Sequence, residues 1–143
     1  MQYSIEGRVK NQNIVCGYIN VLIHALKINR LKKHINVEFV TVCDGKALGY
    51  CWGDHDEVFI QISREYDGRR LGFLEMMQTL THEMVHARQY FRKELINNNG
   101  DRVWKGVKVK EYDHKNAPWE KEAYLLEKTL FIENFPFFAE FKN

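Results

Sequence analysis

The sequence predicts an α+β protein: a helix near the N-terminus, a small, mostly antiparallel sheet, a long central helix and a last helix near the C-terminus. Two observations carry this expectation. Apolar residues recur at helical spacing over about 11–34, change to strand-like alternation between Val37 and Ile62, and return to helical spacing from Leu71 onward. The 143 residues are 45% hydrophobic and 28% charged, the proportions of an ordered globular chain. No repeat, low-complexity stretch or proline-rich linker divides them, so 1–143 reads as one domain.

Each element has its own signal. In the first helix Ile14, Tyr18, Val21, Leu22, Ala25, Ile28 and Leu31 form an apolar stripe opposite Lys27, Arg30 and Lys32. His24 and His34 fall on this helix as structural or surface residues. Strand candidates follow at 37–42, 47–52 and 58–62, the first two separated by the turn signal Asp44-Gly45. After Asp67-Gly68, the residues Leu71, Leu74, Met77, Leu80 and Met84 trace a helix running to about Leu95, which the Asn97–Gly100 cluster ends. The run 102–110 reads as a hairpin or an ordered loop. Pro118 suits a first helical turn, where its missing N–H would have no partner anyway, and Trp119, Ala123, Leu126 and Leu130 supply the face of the last helix. That helix should end near Asn134–Pro136, leaving Phe135, Phe137, Phe138 and Phe141 to pack back on the core.

Charge and cysteines narrow the function classes. The 21 basic and 19 acidic residues are interspersed, giving a net charge of +2 that marks neither a nucleic-acid nor a membrane surface. A nucleic-acid role would have only the clustered Arg88, Arg92, Lys93, Lys105, Lys108 and Lys110 in its favour. Cys16, Cys43 and Cys51 are odd in number and form no CxxC pair, as expected of reduced thiols. With no secretory leader and an apolar run at 15–26 too short and too polar to span a bilayer, the expected location is the cytoplasm, of a bacterium or of a virus-infected cell. The oligomeric state is not encoded in any visible pattern.

The chemistry lies in Thr81-His82-Glu83-Met84-Val85-His86, an HExxH motif inside a predicted helix. Residues four apart stand one turn apart on the same face, so His82 and His86 can direct both imidazoles at one metal ion. Zinc accepts imidazole nitrogen readily, and a catalytic zinc keeps three protein ligands and a water. Glu83, rotated away from the two ligands, can take a proton from that zinc-bound water as general base. A third donor must come from a later element, and His114, Glu120 and Glu122 are the candidates. Asp54-His55-Asp56 also has ligand chemistry, but it follows Gly53 in a turn and reads as a solvated loop.

HEMVH followed by a helix carrying Glu-x-Glu-Ala resembles the zincin metallopeptidases of the gluzincin type, in which a glutamate on a later helix completes the zinc site. Glu120-x-x-Ala123 is similar to the pattern of compact members, including ImmA/IrrE-type and other small phage and bacterial zincins. Glu120 is therefore the preferred third ligand, with Glu122 as the alternative because in thermolysin-like enzymes the ligand directly precedes the alanine. The resemblance covers the HExxH helix, the Pro118 helix and the sheet before them, and 1–33 lies outside it. The extended histidine motif of metzincins is absent, as is the zinc ribbon of SprT-type proteases. What the resemblance implies is a zincin-like fold and a zinc-dependent peptidase acting on a peptide or protein substrate. It also implies a substrate-binding sheet edge, for which 58–62 is the candidate. Tyr112 and His114 precede the last helix, and a Tyr or His near zinc can donate to the oxyanion of a peptide-bond transition state, the alternative being an ordinary loop. The competing expectation is a non-catalytic zinc-containing interaction or regulatory domain on the same scaffold, which would have no need of Glu83.

Overall fold

A computed structural model describes residues 1–135. The chain runs β1 (Gln2–Glu6), α1 (Gln12–Ala25), β2 (His34–Val40), β3 (Gly49–Gly53), β4 (Glu57–Ser63), β5 (Glu65–Tyr66), β6 (Arg69–Arg70), α2 (Phe73–Phe91), β7 (Leu95–Asn98), β8 (Asp101–Trp104), β9 (Val107–Val109) and α3 (Pro118–Asn134). The α+β class is as expected. None of these helices is long and apolar enough to cross a membrane.

The main sheet departs from the expected antiparallel arrangement. Its order is β1-β2-β4-β3, with β1–β2 and β2–β4 parallel and β3 alone antiparallel to β4. The cause is α1, which serves as the crossover that lets β1 and β2 lie side by side in the same direction. The alternation in β2 and β4 buries Ile35, Val37, Phe39, Val58, Ile60 and Ile62 in the core. The same cluster takes Val15, Ile19 and Leu22 from α1, Met77, Leu80 and Met84 from α2, and Trp119 and Ala123 from α3. Phe135 is also buried there, whereas Phe137, Phe138 and Phe141 lie outside the described residues.

The first helix is shorter than the 11–34 stripe suggested. Lys27 adopts φ 60°, and the Ile28 N–H donates back to the Ile23 carbonyl, a left-handed cap built without glycine. His34 accordingly opens β2 rather than riding on α1. The central helix ends the same way: Lys93 has φ 58°, the Glu94 N–H bonds the Gln89 carbonyl, and Leu95 already belongs to β7. Asn99-Gly100 is then not a helix stop but the two-residue turn joining β7 to β8, both residues having positive φ. Lys105-Gly106 repeats that geometry between β8 and β9, so 102–110 is a hairpin.

One further correction concerns the sheet edge. The strand expected at 58–62 is β4, and it is paired on both sides, by β2 and by β3. The edge on that side of the sheet is β3, a strand bounded by Gly49 and Gly53.

Candidate metal centre

Helix α2 is held in rotation and position by local chemistry at its start and by a buried bond at its middle. The Glu75 carboxylate accepts the Gly72 N–H at 2.7 Å and pairs with Arg69, satisfying an otherwise unpaired donor of the first turn. Next to the motif, the buried Thr81 hydroxyl donates to the Met77 carbonyl at 2.8 Å and receives the Tyr18 hydroxyl from α1. Burial raises the Tyr18 phenol to about 12, so it remains a donor. This bond fixes the turn that carries His82.

Along the next turn His82 and His86 point the same way, their rings 4.9 Å apart and edge to face. Helix α3 crosses α2 there, started by Pro118, and its first turn delivers Glu120. One carboxylate oxygen, Oε1, lies 2.9 Å from His82 Nε2 and 3.1 Å from His86 Nε2. The donors of a tetrahedral zinc ion sit roughly 3.3 Å apart, given bonds of 2.0–2.1 Å, so these three atoms need little rearrangement to surround one. The donor atoms of His82, His86 and Glu120 all lie within 4.8 Å of one another.

Glu122 is placed elsewhere: its Oε1 accepts from Gln89 Nε2 at 3.1 Å and lies 3.7 Å from Arg88. Residues two apart on a helix point to opposite sides, and the packing of α3 on α2 brings Glu120, not Glu122, to the two histidines. His114 is 75% exposed, with its Nε2 3.6 Å from Glu120 Oε2, so it stands at the rim of the group. Tyr112 packs edge-on against Trp119, 4.8 Å between ring centroids.

Two residues that sequence reasoning missed form a layer behind the histidines. Glu127, two turns beyond Glu120 on α3, takes His82 Nδ1 at 3.0 Å, and Gln89 holds His86 Nδ1 at 2.7 Å. Gln89 also donates to the Trp119 carbonyl at 3.0 Å, tying α2 to the start of α3. With Nδ1 engaged on both rings, Nε2 is the atom left to face Glu120, the arrangement that outer partners impose on metal-binding histidines. Both residues were readable from spacing, Glu127 as seven after Glu120 and Gln89 as three after His86, and each spacing returns to the same helix face.

The electrostatics follow from this packing. Burial alone would lower His82, but the Glu120 and Glu127 carboxylates outweigh it and push the imidazole up to about 10. His86 moves upward for the same reason, burial opposing and Glu120 prevailing. Burial likewise opposes ionisation of Glu120, yet the two imidazoles hold its carboxyl well below the usual carboxylate range. Burial raises Glu83, partly countered by the adjacent histidines. Its Oε2 is buried without a hydrogen-bond partner among the described residues, an expensive condition unless a ligand polar group meets it.

Glu83 also lies against the sheet edge. A Cβ on Gly49 would come within 2.5 Å of the Thr79 methyl and 3.1 Å of Glu83 Cγ, so the absence of a side chain there lets β3 pack directly on α2. The donor set, the orphaned Glu83 oxygen and the outer layer all fit a divalent cation.

Compared with models of known protein families and with curated proteins, the chain matches none.

Proposed function

We propose that this chain is a metallopeptidase with a zincin-like arrangement, its zinc ion held by His82, His86 and Glu120 and its general base Glu83. The observation that carries this reading is the pairing of a two-histidine, one-carboxylate group with a buried, unpartnered Glu83 oxygen on the same helix. An ion bound there supplies Lewis acidity toward a carbonyl oxygen and lowers the pKa of an attacking water. Glu83 takes the proton of that water and returns it to the departing amine nitrogen as the peptide bond breaks. The free edge of β3, running past Glu83, offers unpaired main-chain groups along which an extended peptide can lie. His114, on the rim beside Glu120, is positioned to donate toward an oxyanion. Zinc is the favoured ion because two imidazoles and one carboxylate match its common catalytic ligand set.

The test compares zinc-loaded wild type with Glu83→Gln on a peptide library read by mass spectrometry. Wild type should cleave, and the variant should retain one equivalent of zinc while losing activity by about 10²-fold or more. Equal cleavage by both proteins, or none by wild type, would overturn the reading in favour of a binding role.

A further inference from the structure

Beyond the donor group, one half-buried arginine has no side-chain hydrogen bond or ion pair among the described residues. Among the described residues, three arginines are half-buried: Arg64, Arg88 and Arg102. Arg64 donates to the Phe39 carbonyl at 2.7 Å and to Thr41, and Arg88 lies 3.7 Å from Glu122. Arg102 has no ion pair or hydrogen bond among the described residues; its guanidinium sits over the Trp119 ring, 5.5 Å from the centroid. Stacking on an aromatic face orients the guanidinium while leaving its N–H donors free for a ligand.

Its position is set by strand alternation. Arg102 shares a face of β8 with Trp104, whose register partner Leu95 is buried in the core, so that face turns inward. Lys108, paired with Asp101 at 3.0 Å, lies on the opposite face. Trp119 immediately precedes Glu120. Burial pushes the thiol of Cys51, a β3 residue, well up, and the charges it feels are those of Glu83, Arg102 and Glu120. Arg102 is thus stacked on the residue next to the Glu120 donor.

A second unsatisfied donor lies on α2. Tyr90, two turns beyond Glu83 on α2, is 1% exposed, and its hydroxyl has no partner among the described residues. It lines a cavity of about 280 Å³ that opens where β3 ends, with Gly53, Lys93 and Asn97 on the walls. Asn97 is the register partner of Arg102. The Asp54 carboxylate at this cavity is turned into its own loop, its Oδ1 accepting the Asp56 and Glu57 N–H groups. Donors therefore outnumber acceptors at the far end of the strand.

We propose that Arg102 binds a carboxylate of a substrate laid along β3, making the site selective for acidic or C-terminal segments. This rests on the peptidase reading for its substrate class. A planar guanidinium matches the two oxygens of a carboxylate through paired hydrogen bonds, which a lone ammonium does not. The carboxylate can belong to a Glu or Asp side chain or to a free C-terminus.

The experiment uses the full chain carrying Glu83→Gln, loaded with zinc, and three pools of random hexapeptides lacking acidic residues. One pool is amidated, one has a free C-terminus, and one is amidated with a single Glu added. Peptides retained at equilibrium are counted by mass spectrometry. One or both carboxylate pools should be enriched about tenfold over the neutral pool, and the enriched one identifies the source. Arg102→Met should erase the enrichment, Arg102→Lys should keep part of it, and Lys108→Met should leave it intact. Equal retention of all pools, no retention of any, or an enrichment that survives in folded Arg102→Met would overturn the proposal. An Arg102-dependent enrichment in a protein whose wild type cleaves nothing would uphold carboxylate binding and remove the peptidase reading alone.

Discussion

Among the described residues, two groups of side chains bring three metal-type donors within 4.8 Å of one another, and they contrast in almost every other respect. His82, His86 and Glu120 come from two packed helices, with both rings backed by Glu127 and Gln89. Asp54, His55 and Asp56 are consecutive and exposed. Asp54 already accepts two N–H groups of its own turn, and Asp56 accepts Lys33 at 2.9 Å. In the first group burial leaves the donors only one another and their outer partners to bond; in the second, the loop and solvent satisfy them already. Proximity of ligand atoms is therefore a weak criterion for a metal site. The stronger one is a set of donors that the fold has gathered from distant positions and supported from behind.

This contrast can be broken by mutation. The largest effect expected is from Glu120→Ala or His86→Ala, either of which should reduce zinc affinity by at least about 10³-fold in competition with a chelating dye, since only two ligands remain. Asp54→Asn with Asp56→Asn should leave both affinity and a stoichiometry of one ion unchanged. Loss of zinc in that double variant would place the ion in the loop instead. Next in size is the outer layer: Glu127→Gln should weaken zinc binding by about 10–100-fold without altering the number of ligands. An unchanged affinity would mean that His82 needs no help in orientation.

Proton linkage sharpens the same comparison. His82 rises from 6.5 to about 10 between two carboxylates, so in the metal-free protein its charged form contributes stability that is fully present below pH 6.5 and lost as pH climbs through about 10. Glu120 is shifted downward, and its contribution disappears in acid as that carboxylate is protonated. Metal binding requires a neutral imidazole, so zinc uptake at pH 7 should release protons and tighten as pH rises from 6 to 8. Calorimetry in two buffers of different ionisation enthalpy measures the release, and a pH-independent affinity would contradict it. The smallest effect belongs to the scaffold. Tyr18→Phe removes one buried hydrogen bond to Thr81 and should cost about 1 kcal/mol in denaturant unfolding of the metal-free protein.

Much of this site is legible in the order of residues alone, because an HExxH pair depends only on helix geometry. The choice between Glu120 and Glu122 is not, because it depends on how α3 is rotated against α2, a tertiary property. The fold is obscured at two lysines. Lys27 and Lys93 take the left-handed cap position that glycine usually marks, so both helices read as longer than they are. With the end of α1 hidden, β1 has only Tyr3 and Ile5 to announce it, and the parallel pairing it makes with β2 stays out of sight. The sheet edge is misplaced for a related reason. The glycines bounding β3 weaken its strand signal relative to the β-branched β4, yet Gly49 is what lets that edge approach Glu83.

The most direct test of the metal centre is the zinc X-ray absorption spectrum of the loaded protein, compared with that of Glu120→Ala. Two imidazole nitrogens and light oxygen donors at roughly 2.0–2.1 Å, with the carboxylate contribution missing from a variant that holds zinc poorly, are the predicted result. A sulfur shell, a single imidazole, or spectra indistinguishable between the two proteins would contradict it.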